Sequence, residues 1–290
     1  MAGFSPSDAA LEGFRLIRRR PGTLLAWSGI YFASVLVIGV AMMLSMGPRF
    51  IDMLKKGQLV SNDPEAFAVL LEQSWPAFLV VLLMTALLMS VIMGGIFRLV
   101  LGRDEKGLAH LRLGPDELRM SAVNLGLVGI GMAFLVFGLL VTRVAATQGG
   151  LLGFLVGLAV LFLTIWVGVR LCLVTPMTFD TGRVAFRSAW RLTRGRFWPL
   201  LGMIVLAVIF YVMVWIVAAV LAVIVVALAG GEQAIEDVGA LSIVAGIAAL
   251  VTIVMQALLQ VLQIVMIYGP FAVAYRQITG EGGAEGAAAA

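Results

Sequence analysis

The stretch PLLGMIVLAVIFYVMVWIVAAVLAVIVVALAG, residues 199–230, decides the fold class. Between Arg196 and Glu232 no residue carries a charge. An α-helix rises 1.5 Å per residue, so about 20 apolar residues cross a hydrocarbon core of about 30 Å. The run is too long for a buried strand. In lipid the backbone must bond to itself, so its frequent Val and Ile do not argue for strand. A transmembrane β-barrel would alternate apolar and polar residues in segments of about ten. This stretch is continuously apolar.

Five more stretches read the same way: 24–46, 75–101, 120–143, 150–176 and 239–275. The fold expected is an all-α integral membrane protein with six transmembrane helices. Trp75-Pro76 and Trp198-Pro199 are expected to open spans, because proline suits a first helical turn and Trp prefers the membrane–water interface. The sixth run is expected to break at Tyr268-Gly269-Pro270, where proline removes a helix hydrogen bond. Residues 1–279 form one polytopic domain, and 280–290 (GEGGAEGAAAA) form a low-complexity, disordered tail. The longest connection, 47–74, has room for one short helix, and no connection holds a catalytic domain. A polar, Arg-containing segment precedes a full-length apolar run, with no small-residue cleavage site after it, so the N-terminus does not read as a cleavable signal.

Composition agrees. Of 290 residues, 62% are hydrophobic and only 12% charged, with a mean hydropathy of +1.08. A soluble domain of this length needs more polar surface to cover its core. Soluble, disordered and disulfide-stapled classes are excluded. One cysteine, Cys172, allows no intrachain disulfide. One histidine, His110, leaves no basis for a zinc or di-metal site, and it reads as a surface or interfacial residue. No cofactor or metal is expected. The sequence lacks a hydrolase elbow, a P-loop and a dinucleotide fingerprint in its proper context, so the protein reads as non-enzymatic.

The net charge is +4. Arg49, Lys55, Lys56 and Arg143 fall on one side of the six spans. The remaining sixteen of the 20 Lys and Arg fall on the other, with both termini, 102–119 and 177–198. By the positive-inside rule that side is cytoplasmic. Glu232, Glu236 and Asp237 make a small acidic loop outside. Lipid phosphate is the nearer anion for these arginines, and no nucleic-acid partner is expected.

Basic segments precede the outward spans. Phe14-Arg15-Leu16-Ile17-Arg18-Arg19-Arg20 stands before the first and Trp190-Arg191-Leu192-Thr193-Arg194-Gly195-Arg196 before the fifth. Leu111–Arg119 is a looser counterpart before the third. One reading is three repeated units, each an amphipathic cytoplasmic helix plus a hairpin of two spans. The other is that positive-inside placement alone puts Arg ahead of spans. Arg183, Arg187, Arg191 and Arg194 lie at i, i+4, i+8 and i+11, one face of a helix over 183–198, with Phe186, Ala189, Trp190 and Phe197 opposite. The N-terminal segment sets Leu11, Phe14 and Ile17 against Glu12, Arg15 and Arg19. Both patterns are interfacial helices with arginines toward phosphates. The candidate lipid-headgroup contacts are therefore Arg15, Arg19, Arg183, Arg187, Arg191 and Arg194.

Arg98, Arg143 and Arg170 stand near span ends, where long side chains are expected to snorkel, and no ionisable residue is central to a span. Asp116 and Glu117 beside Arg112 and Arg119 read as local ion pairs. Gln256, Gln260 and Gln263 share one helical face, which calls for another helix or a polar cavity. Gly149, Gly153 and Gly157 make a small-residue ridge, and Gly126, Gly129 and Gly131 a second patch, suited to close helix packing or to a dimer contact.

The runs Leu111–Arg119, Phe186–Trp198 and Tyr275-Arg276-Gln277-Ile278-Thr279-Gly280 resemble uncharacterised bacterial six-span proteins related to the glycerophosphoryl diester phosphodiesterase membrane domain. The similarity spans most of 5–280, through short Arg-aromatic motifs. In some relatives such a region precedes a separate catalytic domain. With one histidine and no metal-ligand cluster, phosphodiesterase activity is not carried over. The resemblance implies a bacterial cytoplasmic (inner) membrane protein. The function expected is a non-enzymatic one, exercised through lipid or protein contacts at the basic cytoplasmic helices. Its partners are anionic membrane lipids, with a protein partner or a second copy as further candidates. The alternative is a transporter or exporter of a small apolar or amphipathic solute along the glutamine face.

Overall fold

The computed structural model describes residues 6–47, 64–102, 110–228 and 243–280. The helices are α1 (Pro6–Arg19), α2 (Pro21–Met46), α3 (Pro64–Leu101), α4 (Pro115–Gln148), α5 (Gly150–Leu171), α6 (Val174–Thr181), α7 (Phe186–Leu192), α8 (Phe197–Leu228) and α9 (Ile243–Thr279). Six segments are long and apolar enough to cross a membrane: Pro21–Ser45, Ser74–Leu101, Pro115–Gln148, Gly150–Thr181, Phe197–Val225 and Leu250–Thr279. This is the all-α six-span architecture that the sequence predicts. The acidic loop at 232–237 and the tail beyond Gly280 lie outside the described residues.

Prolines set the helix starts. Pro21 and Pro115 occupy the first turns of α2 and α4, where a missing N–H costs nothing. In α3 the backbone leaves helical geometry at Ser74 (φ −128°, ψ 19°), just before Trp75-Pro76, so the span begins where expected. The helical turns from Pro64 to the kink fill the space allotted to a short helix in the connection.

Two expectations are corrected. The break at Tyr268-Gly269-Pro270 does not occur, and α9 runs through Pro270 to Thr279. Packed helices tolerate an internal proline because neighbours and local adjustment compensate for the lost bond. Here α1 crosses α9 at that point. A methyl on Gly13 would sit 3.1 Å from the Met266 Cα, and one on Gly269 3.6 Å from the Gly13 Cα. The fourth span also does not pass directly into a loop. Pro176 cannot donate to the Cys172 carbonyl, so α5 stops and the chain turns at Cys172-Leu173. The short helix α6 follows, buried from Val174 through Phe179. It ends at Gly182, which takes the left-handed φ of 64° and donates to the Thr178 carbonyl at 3.0 Å.

Helix α9 packs against α1, α2, α3, α6 and α8. The α4–α5 hairpin closes on itself along glycines: methyls on Gly153 and Gly157 would lie 2.9 Å from Ala146 and 3.6 Å from Thr142. Gly149 is the hairpin turn itself. Of the second glycine patch, among the described residues only Gly126 meets a neighbour, the Phe186 ring at 3.5 Å, and none comes within 4 Å of a methyl placed on Gly129 or Gly131. The most buried large side chains include Trp27, Phe97, Met120, Met177, Leu200, Met203 and Tyr275. They gather toward the bundle end that carries Arg20, Leu101, Asp180 and Arg276, hereafter the terminal face. Further along the hairpin Leu135, Phe137, Leu140, Leu151 and Phe154 are exposed, at no cost where the solvent is hydrocarbon.

Helix α1 docks through small residues. Ala9, Ala10 and Gly13 are buried, whereas Leu11, expected on the apolar face, is exposed. Only small residues let two backbones approach this closely, and a larger apolar side chain is better placed toward lipid. Replacing Gly13 with Leu should cost about 1–3 kcal/mol of α1 docking. Trypsin should then cut at Arg15 or Arg18 many times faster than in the parent protein in detergent. Equal resistance would show that α1 is not held at this crossing.

Candidate functional site

The terminal face contains a buried ionic centre and an exposed basic rim. The centre begins in α3, where Gly94 and Gly95 precede Arg98 by a turn. Arg98 is 2% exposed. Its Nη2 donates to Glu117 Oε1, and Glu117 is itself fully buried. The Arg98 Nη1 donates to the His110 carbonyl at 3.1 Å, and the guanidinium lies 5.4 Å from the Phe179 ring centre. Phe179 also meets Phe97 at 5.7 Å between ring centres. Arg98 thus does not snorkel. It turns into the bundle because a carboxylate, a carbonyl and an aromatic face await it there.

Local sequence places each partner. Pro115 begins α4, which sets Glu117 in the first helical turn, where the helix dipole favours a carboxylate. A methyl on Gly94 would stand 2.9 Å from Glu117 Oε1, and one on Gly114 3.1 Å from Oε2. Both glycines make the space that the carboxylate fills. Gly95 seats Trp27 of α2 in the same manner, at 3.1 Å. His110 takes a φ of 62°, which aims its carbonyl inward, and its Nε2 lies 3.0 Å from Arg20 Nη1. Histidine is therefore part of the turn that closes the centre. Around it, Tyr275 OH donates to Asp180 Oδ2 at 2.8 Å and Arg276 Nη1 to the Val100 carbonyl at 2.7 Å. Those bonds fasten α9 to α6 and α3.

Glu117 does not join Arg112 or Arg119 as the sequence suggests. Arg119 pairs with Asp116 at 2.9 Å, half-exposed, and Glu117 goes to Arg98. The sequence did carry a signal: opposite charges at matching depth at facing ends of two consecutive spans, with glycines a turn away.

The basic rim differs in shape from expectation. No single helix covers 183–198. Gly182 and Gly195 both take positive φ, and helix is confined to α7, Phe186–Leu192. Arg183, Arg187, Arg191, Arg194 and Arg196 are all exposed. Ala189, Leu192 and Thr193 are buried, with Phe186 and Trp190 partly so. The Thr193 hydroxyl lies within hydrogen-bond reach of the carbonyls of Ala189 (3.0 Å), Trp190 (3.2 Å) and Arg170 (3.1 Å), which pins this turn to the end of α5.

Arg170 is held as well. Its guanidinium carbon lies 5.4 Å from the Trp166 ring centre and 5.5 Å from that of Trp190, and the two indoles meet edge-on at 5.2 Å. Its Nη1 reaches the Trp190 carbonyl at 3.4 Å. Of the other candidates, Arg15 is exposed and pairs loosely with Asp8 at 3.5 Å, and the Arg19 side chain lies outside the described residues. Before the third span, 110–114 is a turn, so among the described residues only the first and third hairpins follow a separate helix. Gln263 accepts from Tyr211 OH of α8 at 3.2 Å, Gln260 is half-buried and Gln256 is exposed. The glutamine face thus meets another helix at Gln263. Among the described residues, no group of His, Cys, Asp and Glu is placed to hold a metal ion.

No family model matches this chain, and neither the curated proteins nor the solved structures include a match.

Removing one member of a buried ion pair costs about 3–5 kcal/mol, because the other charge is stranded. Glu117→Ala and Arg98→Met should each lower the thermal midpoint of the detergent-solubilised protein sharply. The double variant R98M/E117L should recover most of that loss. A double variant as unstable as the two losses combined would mean that the residues do not act as a pair.

Proposed function

We propose that this protein is a non-enzymatic polytopic protein of the bacterial cytoplasmic membrane that binds anionic lipid headgroups through the arginines of 183–196. In this reading the terminal face is the cytoplasmic one. The single observation that carries it is a local charge imbalance. Three described acids of this face are ion-paired with other arginines, Asp8 with Arg15, Asp116 with Arg119 and Glu117 with Arg98, and Asp180 accepts a hydrogen bond from the neutral Tyr275 hydroxyl. Arg183, Arg187, Arg191 and Arg194 are exposed and have no acidic partner among the described residues.

Supporting this, the row has a fixed base. Ala189 and Leu192 are buried, Thr193 is bonded to α5, and Trp190 packs on Trp166. Arginines on a fixed base require less backbone ordering when they meet a phosphate. Exposed Trp198 and Val184 flank the row with apolar surface suited to the headgroup boundary. The resemblance to six-span relatives of the glycerophosphoryl diester phosphodiesterase membrane domain accords with a membrane module that acts without its own catalysis.

Near an anionic leaflet each basic residue adds about 1 kcal/mol. The variant R187Q/R191Q/R194Q should therefore bind phosphatidylglycerol about 100-fold less tightly, with its thermal midpoint in detergent unchanged. Native mass spectrometry of retained lipid measures this. Unchanged retention in a folded variant would overturn the reading.

A further inference from the structure

Resting on that reading, we propose that Arg170, Trp166 and Trp190 form a discrete site for the phosphate of one anionic glycerophospholipid. The lipid's acyl chains would lie along the outer flank of α5.

A guanidinium offers five N–H donors in a planar fork. Arg170 spends one of them on the Trp190 carbonyl, at a long 3.4 Å. Its Nε is buried and has no hydrogen-bond partner. The side chain as a whole is only partly buried, so part of the fork remains reachable. A donor shut away from water without an acceptor keeps its full desolvation penalty. A cation raised from the aqueous boundary costs more unless an anion meets it. The two indoles lower that cost by offering their π-faces, and they fix the plane of the fork. They do not satisfy its donors. A tetrahedral phosphate engages the reachable Nη edge of the fork, accepting parallel N–H bonds there, while the buried Nε lies behind it.

Neighbouring residues select the source of that phosphate. Arg187 stands one helical turn before Trp190, on the same side of α7, and is exposed. It reinforces a net negative headgroup and repels the ammonium of a zwitterionic one. Away from the terminal face, Arg170 and Trp166 continue along α5 as a stripe through Phe162, Ala159 and Leu155, at spacings of four, four, three and four. Phe162 is 61% exposed and Leu155 52%. That stripe is a track for an acyl chain that begins at the guanidinium. A soluble phosphate has no use for it.

The test uses the full chain in detergent with phosphatidylglycerol, read by native mass spectrometry. Arg170→Gln should abolish the most tightly held lipid, a loss of 10-fold or more in apparent affinity. Arg170→Lys keeps the charge but not the fork, and should lose several-fold. It also guards against a Gln variant that fails to fold. Inorganic phosphate at millimolar concentration should not displace the lipid, and phosphatidylcholine should not replace it. Wild-type retention by either folded Arg170 variant would overturn the site, as would displacement by free phosphate or equal binding of phosphatidylcholine. If R187Q/R191Q/R194Q loses lipid while the Arg170 variants keep it, this inference fails and the broader lipid-binding reading stands. If none of the variants loses lipid, both fail.

Discussion

Arg98 and Glu117 are almost wholly shut off from solvent, and the terminal half of the bundle is organised around that fact. Two opposite charges within helices α3 and α4 must reach each other, because either alone would be stranded in a low-dielectric interior. Their meeting requires Gly94 and Gly114 to leave room for the carboxylate. It requires Pro115 to begin α4 where it does, so that Glu117 falls in the first turn. It requires the His110 carbonyl to point inward at the expense of a left-handed backbone, and Phe179 of the buried helix α6 to cover the guanidinium. One pair thereby fixes the register of α3 against α4, the form of the turn between them and the seat of α6. A buried ion pair is weak evidence for stability. Its contribution here is to specify one arrangement, since sliding α3 along α4 would separate the charges.

The apolar packing follows that arrangement. Where charges have to be neutralised, side chains are buried almost completely, from Trp27 through Tyr275. Where none need be, along the distal parts of α4 and α5, the helices rely on glycine contacts with each other and leave large apolar side chains outward. In water that division would be untenable. In hydrocarbon, lipid tails are as apolar as leucine, and no force draws those faces together.

The legibility of the sequence divides along the same line. Six spans, and the starts of two of them at Trp75-Pro76 and Trp198-Pro199, were readable, because length, hydropathy and proline act locally. The buried centre was not read. Arg98 near a span end has the composition of a snorkelling residue, and only the three-dimensional position of Glu117 reverses that. The continuous helix over 183–198 failed because periodicity weighs side chains and ignores Gly182 and Gly195, whose positive φ cuts it short. Continuity through Pro270 was missed because a local reading weighs the bond that proline removes and ignores the helices packed beside it, α1 among them. The small face of α1 was missed because hydrophobicity scales rank Leu11 above Ala9 and Gly13, whereas close backbone approach ranks them in reverse.

The arginines divide into two populations by the same physics. Arg98 is paired inside and contributes no net field beyond the bundle. The residues from Arg183 to Arg196 stand outside, and the nearby described acids are already engaged. Had Glu117 been free, it would partly cancel the rim. Its engagement by Arg98 thus does two things at once: it closes the core, and it leaves one acid fewer to offset the rim. Arg170 lies between the populations, partly buried and with no acidic partner among the described residues. Two indoles and the Trp190 carbonyl hold its guanidinium, so its charge is met by a dipole and π-faces and, like that of the rim, not by a carboxylate of the described residues.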